Sequence, residues 1–177
     1  MLVCYSECAE SQQEAAILSV TDVIVPERAG PRPKTIPCAP HSQVDQIVPE
    51  ARMLALSLID RLAPLADVQL GGSMRAPPGT VGLYLHPSAC CAQPRAFLLG
   101  REFAHVHIDD DCSLHAILPE PLRTAAIDAG WAEPHPLAGQ PTVSPDTVML
   151  YAPRDAGEVE VLATLVEASW ANARGNG

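Results

Sequence analysis

The sequence predicts an α+β domain, with a mixed or mainly antiparallel sheet and helices packed on it. Three observations lead there. Short runs of strand-like apolar and polar alternation recur between residues 67 and 151. Two longer segments, beginning at Pro49 and Asp155, place apolar residues at helical spacing. The resulting order, α-β-β-β-β-β-α-β-α, suits an antiparallel or mixed sheet covered by helices. Aromatic residues make up 4% of a chain that is 47% hydrophobic, so the core must be aliphatic.

Taken in order, residues 1–48 read as a proline-rich, poorly ordered leader that folding does not need. It holds one short helix over Ser11–Val20 and the extended run PERAGPRPKTIPCAP. The domain is expected over 49–174, with 175–177 as a tail. Pro49 and Glu50 suit a helix start, and Met53, Leu54, Leu56, Leu58, Ile59 and Leu62 form its apolar face. Strands are expected at Asp67–Leu70, Val81–Leu85, Arg95–Leu99, Glu102–Ile108 and Ser113–Leu118, with the polar turn 109–112 between the last two. A helix over Pro121–Ala129 stops at Gly130, so that Trp131 packs back on it. The run EPHPLAGQPTVSP reads as a loop and Thr147–Tyr151 as a strand. Asp155 with Glu158 forms a capping box for a last helix with Val159, Leu162, Ala163, Val166 and Trp170 as its inner stripe.

Charge and composition exclude several classes. A net charge of −10 repels phosphate backbones and anionic lipid, so neither nucleic acid nor a membrane surface is an expected partner. Lys34 is the only lysine, which excludes a Schiff-base or phosphate-cradling lysine in the folded region. The start MLVCYSECAE has no secretory pattern, and Ala51–Leu70 is broken by charges, so a cytoplasmic location is expected. Six cysteines without a CxxC pair read as free thiols. No nucleophile elbow, P-loop or dinucleotide fingerprint is present. Gly71-Gly72-Ser73 reads as a plain loop. Asp109, Asp110 and Asp111 read as exposed turn carboxylates, lacking the spacing of a calcium loop.

The segment EFAHVHIDDDCSLHAILP carries the sharpest signal. Alternation puts Ala104, Val106 and Ile108 on one face and His105 and His107 on the other. If Val106 and Leu114 are buried together, His115 joins His105 and His107. His135, in a following loop, is positioned to fold over them. Three readings compete: a metal site, since imidazole binds transition ions well; acid–base chemistry near neutral pH; and hydrogen-bonded histidines on a half-buried sheet. With no carboxylate evident on the same face, no metal is expected.

The runs EFAHVH, SLHAILP, GWAEPHPLAG and TVMLYAPRD, followed by a terminal helix, resemble the luciferase-like domain family of fungal luciferase and short bacterial proteins. The resemblance covers Phe97 to Trp170. It implies an O₂-dependent oxidation independent of flavin or metal, hence no cofactor; the fungal members oxidise a hydroxylated pyrone with emission of light. By position it carries over His105, His107, His115 and His135 as catalytic candidates, and Trp131, Glu133, Tyr151 and Arg154 as substrate-binding ones. His105 or His107 is the candidate base, His115 and His135 orient the anion, and Arg154 neutralises it. One position departs: the family usually has Gly before the SLH run, and this chain has Cys112. The expected function is therefore a cofactor-independent oxygenase acting on a small enolisable or phenolic molecule. The alternative is a non-enzymatic domain that binds a small ligand or a metal through the same histidines. A pocket walled by Leu, Val and Trp131 favours the first, and a flat solvated patch the second. The oligomeric state is left open.

Overall fold

The computed structural model describes residues 23–89 and 93–175; the helix expected at Ser11–Val20 lies outside them. Among the described residues, six strands form one antiparallel sheet in the order β1-β2-β3-β4-β6-β5. The strands are β1 (Val68–Gly72), β2 (Val81–Leu85), β3 (Glu102–Val106), β4 (Leu114–Ile117), β5 (Ala132–Pro134) and β6 (Thr147–Leu150). The helices are α1 (Ala51–Leu62), α2 (Leu122–Asp128) and α3 (Ala156–Ala173). The fold class is the α+β one expected. Among the described residues, no helix is long and apolar enough to cross a membrane.

Three elements differ from expectation. Gly71 and Gly72, read as loop, extend β1 and pair with Gly82 and Val81. Arg95–Leu99 is not a strand. Pro94 opens a short 3₁₀ turn, Pro94–Ala96, and only Leu99 bridges, to Glu102. Proline favours a first helical position and has no N–H for a ladder. Conversely, β5 takes in the first two residues of the expected loop, Glu133 and Pro134; it is three residues long and sits at the sheet edge, where Pro134 is tolerated.

Register follows the burial argument. Ala104 pairs with Ala116, His105 with His115, and Val106 with Leu114. Ala104, Val106, Leu114 and Ala116 join Val148 and Leu150 in the aliphatic core, together with Val159, Leu162 and Val166 of α3. Helix α3 packs on β3 and β4, and α1 packs on α3. Fully burying one such side chain is worth about 1.5–3 kcal/mol, so a one-residue slip that exposed Val106 and Leu114 would be heavily disfavoured. Asp155 caps α3 by accepting the Glu158 N–H at 2.9 Å. Glu158 does not return the bond to Asp155; its carboxylate takes the Arg154 N–H and the Arg28 guanidinium, each at 2.9 Å.

Residues 23–48, read from the sequence as leader, pack against the domain: residues 23–26 lie beside α3, and the stretch around His41 and Gln43 reaches the histidine face. Arg28 is buried between the rings of Trp131 and Tyr151, 5.6 and 5.4 Å from their centroids, and bonds Ala152 O and Glu158. Gln43 donates its backbone N–H to Asp111 and accepts the Ala152 N–H at 2.9 Å. His41 is buried as well.

Candidate functional site

The face of the sheet away from α3 holds a buried polar layer in which five of the chain's six histidines meet. His105, His107 and His115 share this face as the alternation requires, and all three are buried. His135 approaches from its loop after β5, its ring centroid 4.9 Å from that of His115. The fifth is His41, from the segment before α1, stacked on His115 with centroids 5.4 Å apart.

Three carboxylates complete the layer, of which only Glu133 was a sequence-expected site residue. Leu83 pairs with Ala104 and Tyr84 with Glu102, so Phe103 is an extra residue, a β-bulge. Phe103 and Ala104 both enter the core, and Glu102 thereby turns to the histidine face, its Oε1 2.8 Å from His105 Nδ1. Asp111 is no exposed turn residue. It is 3% exposed, its Oδ1 lies 3.1 Å from His107 Nδ1, and it accepts from Ser113 N, Ser113 Oγ and Gln43 N. Glu133 Oε1 lies 2.6 Å from His41 Nε2, and its Oε2 accepts from Tyr151 at 3.1 Å.

These contacts form one chain. Glu102 holds His105; His105 Nε2 is 3.0 Å from His115 Nδ1; His115 Nε2 is 3.3 Å from His41 Nδ1; His41 reaches Glu133. Carboxylates only accept, so the ring nitrogens facing them carry the protons. For neutral rings this leaves lone pairs on His105 Nε2, His107 Nε2 and His41 Nδ1. His41 Nδ1 then accepts from His115 Nε2, which leaves a lone pair on His115 Nδ1 as well. Thus two acceptors, His105 Nε2 and His115 Nδ1, face each other.

Burial dominates the electrostatics. It holds His115 well below the ordinary histidine value, helped by the neighbouring imidazoles, and lowers His105 against the opposing pull of Glu102. His135 is pushed down to about 4 by burial, then by His41, His105 and Arg75. Burial raises Asp111, yet the bonds from His107, Gln43 and Ser113 together keep it below the usual carboxylate range. Tyr151 is pushed up to about 12 by burial and by Glu133.

The layer opens into a pocket of about 170 Å³ lined by His41, His105, His107, His115 and His135. A cavity of roughly 150 Å³ takes up a benzene-sized ring. Its apolar walls are Pro40, Pro77, Leu98, Leu137 and Val143, and exposed Arg75 lies at its mouth. The Oγ1 of Thr147, also in the lining, is buried with no partner among the described residues.

The expected site residues therefore divide. His105, His107, His115 and His135 come together. Glu133 and Tyr151 reach them only through His41. Trp131 and Arg154 do not line the pocket. Trp131 packs on Arg28 and bonds Pro26 O, and Arg154 pairs with Glu158 and bonds Ala29 O at 2.8 Å. The cation beside the pocket is Arg75.

Comparison with known proteins points to one family. Residues 100–169 match the model of the Luciferase domain. Over 71 residues the chain is 42% identical to the luciferase of Neonothopanus nambi and 38% identical to those of Armillaria gallica and Armillaria mellea. In each case the match covers 39% of this chain and 27% of the relative, so the chain spans well under half the length of the curated relatives it matches. No solved structure matches.

Proposed function

Taking residues 100–169 as a luciferase-like domain, we propose that the chain binds a small enol or phenol in the histidine pocket and directs its oxidation by O₂. The observation that carries this reading is the Asp111–His107 pair at the pocket wall. Asp111 fixes the Nδ1 proton of His107, and Nε2 has no hydrogen-bond partner among the described residues and belongs to a ring lining the pocket. A buried carboxylate behind an imidazole is the arrangement of a general base. His105, the other candidate, has its Nε2 turned against His115 Nδ1 at 3.0 Å.

In this reading His107 Nε2 takes the hydroxyl proton of the substrate. The electron-rich carbon of the anion forms a bond to O₂, and the proton returns from His107 to the terminal oxygen. The product is a hydroperoxide that contains all atoms of substrate and O₂. His135 accepts the Leu137 N–H on Nδ1 at 3.1 Å, so its Nε2 carries a proton to donate to the anion. Arg75 attracts the anion to the mouth. The pocket's enclosure supports this reading over a flat patch.

The test is O₂ uptake by the purified chain with a panel of hydroxypyrones, catechols and cyclic enols, alongside equilibrium dialysis of the same compounds. Uptake that His107→Ala abolishes while binding persists is the expected result. Absence of uptake across the panel, or uptake unaffected in His107→Ala, would sink it.

A further inference from the structure

We infer that His105, His107 and His115 form a binding site for one divalent first-row transition ion. This site goes beyond the oxidation reading and claims the same His107 Nε2, so its test must tell the two apart. One ring nitrogen from each of the three lies within 4.8 Å of the others. The three come from two paired strands, with His105 directly opposite His115.

The outward nitrogens carry the argument. His105 Nδ1 is held by Glu102 at 2.8 Å and His107 Nδ1 by Asp111 at 3.1 Å. His115 Nε2 is held by His41 at 3.3 Å, and His41 in turn by Glu133 at 2.6 Å. Each outer partner fixes a tautomer, so the lone pairs of His105 Nε2, His107 Nε2 and His115 Nδ1 are the ones left for a shared cation. Carboxylates and other acceptors behind ligating imidazoles are what orient metal-binding histidines and raise their basicity. Two lone pairs 3.0 Å apart repel unless a cation lies between them. A proton there would engage two of the three nitrogens; a metal ion engages all three. Three neutral imidazoles suit ions such as Zn²⁺ or Fe²⁺, and three protein ligands leave a position open, here toward the pocket.

His41, His115 and His135 also bring ring nitrogens within 4.8 Å of one another. Their hydrogen bonds oppose a metal. His135 accepts the Leu137 N–H on Nδ1, which puts the proton on Nε2, and His41 Nδ1 already takes the His115 proton. With an ion on the other three, His107 is a ligand instead of the base. The ion would then acidify a substrate hydroxyl bound at its open position.

The test is titration of the chelator-stripped full chain with Co²⁺, read by its visible spectrum, and displacement by Zn²⁺. We expect one saturable equivalent per chain with nitrogen ligation and no thiolate charge-transfer band. His107→Ala should lower affinity at least tenfold. Glu102→Gln keeps all three ligands and should lower it about 10–100-fold. His86→Ala, outside the cluster, should leave it unchanged. If His107→Ala does not fold, Glu102→Gln carries the test. No saturable binding, a thiolate band, or undiminished affinity in Glu102→Gln and His107→Ala overturns the inference. Ion binding without oxidation of any substrate supports this site and sinks the oxidation reading. Oxidation by a chain with no saturable ion binding does the reverse.

Discussion

The carboxylate of Glu102 reaches Nδ1 of His105 at 2.8 Å although the two residues stand three apart on one strand. Regular alternation would send them to opposite faces. The bulge at Phe103 reconciles the two. Tyr84, opposite Glu102, adds its hydroxyl to the second carboxylate oxygen at 3.2 Å, with its ring lying over Gly82. A Cβ at Gly82 would stand 2.7 Å from that ring, so Gly82→Ala should displace Tyr84. Glu102→Gln should destabilise the fold by about 1–3 kcal/mol, because His105 loses a charged acceptor in a buried site. Urea unfolding checks this, and an unchanged midpoint would refute it.

Asp111→Asn leaves the shape of the His107 support and changes its proton arrangement. In the oxidation reading, turnover should fall by about 10²–10⁴, the scale on which a buried orienting carboxylate matters to a histidine base. The Michaelis constant should move much less. A raised Michaelis constant with turnover unchanged would mean that Asp111 serves binding alone.

The depressed histidines set the response to acid. His135 stays neutral in the folded chain down to about pH 4, and His105 and His115 are lowered too, whereas unfolded histidine titrates near 6.5. Between those values the unfolded chain binds more protons, so stability rises with pH and is lost as pH falls from about 6.5 toward 4. Thermal unfolding across that range checks the sign. Greater stability at pH 5 than at pH 7 would contradict it.

Cys112 takes a left-handed conformation, φ 60°, a region that favours glycine. Its side chain is buried, with Sγ against Ile108 O. Cys112→Gly should fold with little loss. Cys112→Val should cost about 1–2 kcal/mol or more, since a β-branched residue strains this region. Similar stability of the two variants would count against the strain.

Deletion of residues 1–22 should leave a stable chain with an intact cluster. Deletion to residue 48 removes Arg28, His41 and Gln43, and with them partners of Glu158, Glu133 and Asp111. That chain should lose ligand binding and melt earlier. Equal melting temperatures for the two truncations would show the segment to be an ornament.

The sheet face of the three hairpin histidines was legible because two apolar sets, Ala104 with Val106 and Leu114 with Ala116, can be buried only in one register. Glu102 was hidden because a bulge breaks the periodicity that the reading relied on. Asp111 left a faint trace: Asp followed two residues on by Ser is a local turn pattern, and Asp111 indeed accepts the Ser113 N–H at 3.0 Å. His41 left none, since it sits in a proline-rich run with no alternation and is placed by tertiary contacts. Arg154 was expected in the pocket, but Glu158, four residues on in the same chain direction, holds it at the helix start instead.

The pocket has a floor and a roof that come from separate stretches of chain. The floor is β3, β4 and their histidines, inside the matched segment; the roof includes Ala39, Pro40, His41 and Ser42, some sixty residues earlier. Within the roof, Ala39 and Pro40 shape the opening, whereas His41 is bonded to the imidazole of His115 below. A change at Ala39 or Pro40 that spares His41 resizes the opening while the imidazoles beneath keep their spacing, and a chain with that altered rim would offer the same reactive floor to a different guest.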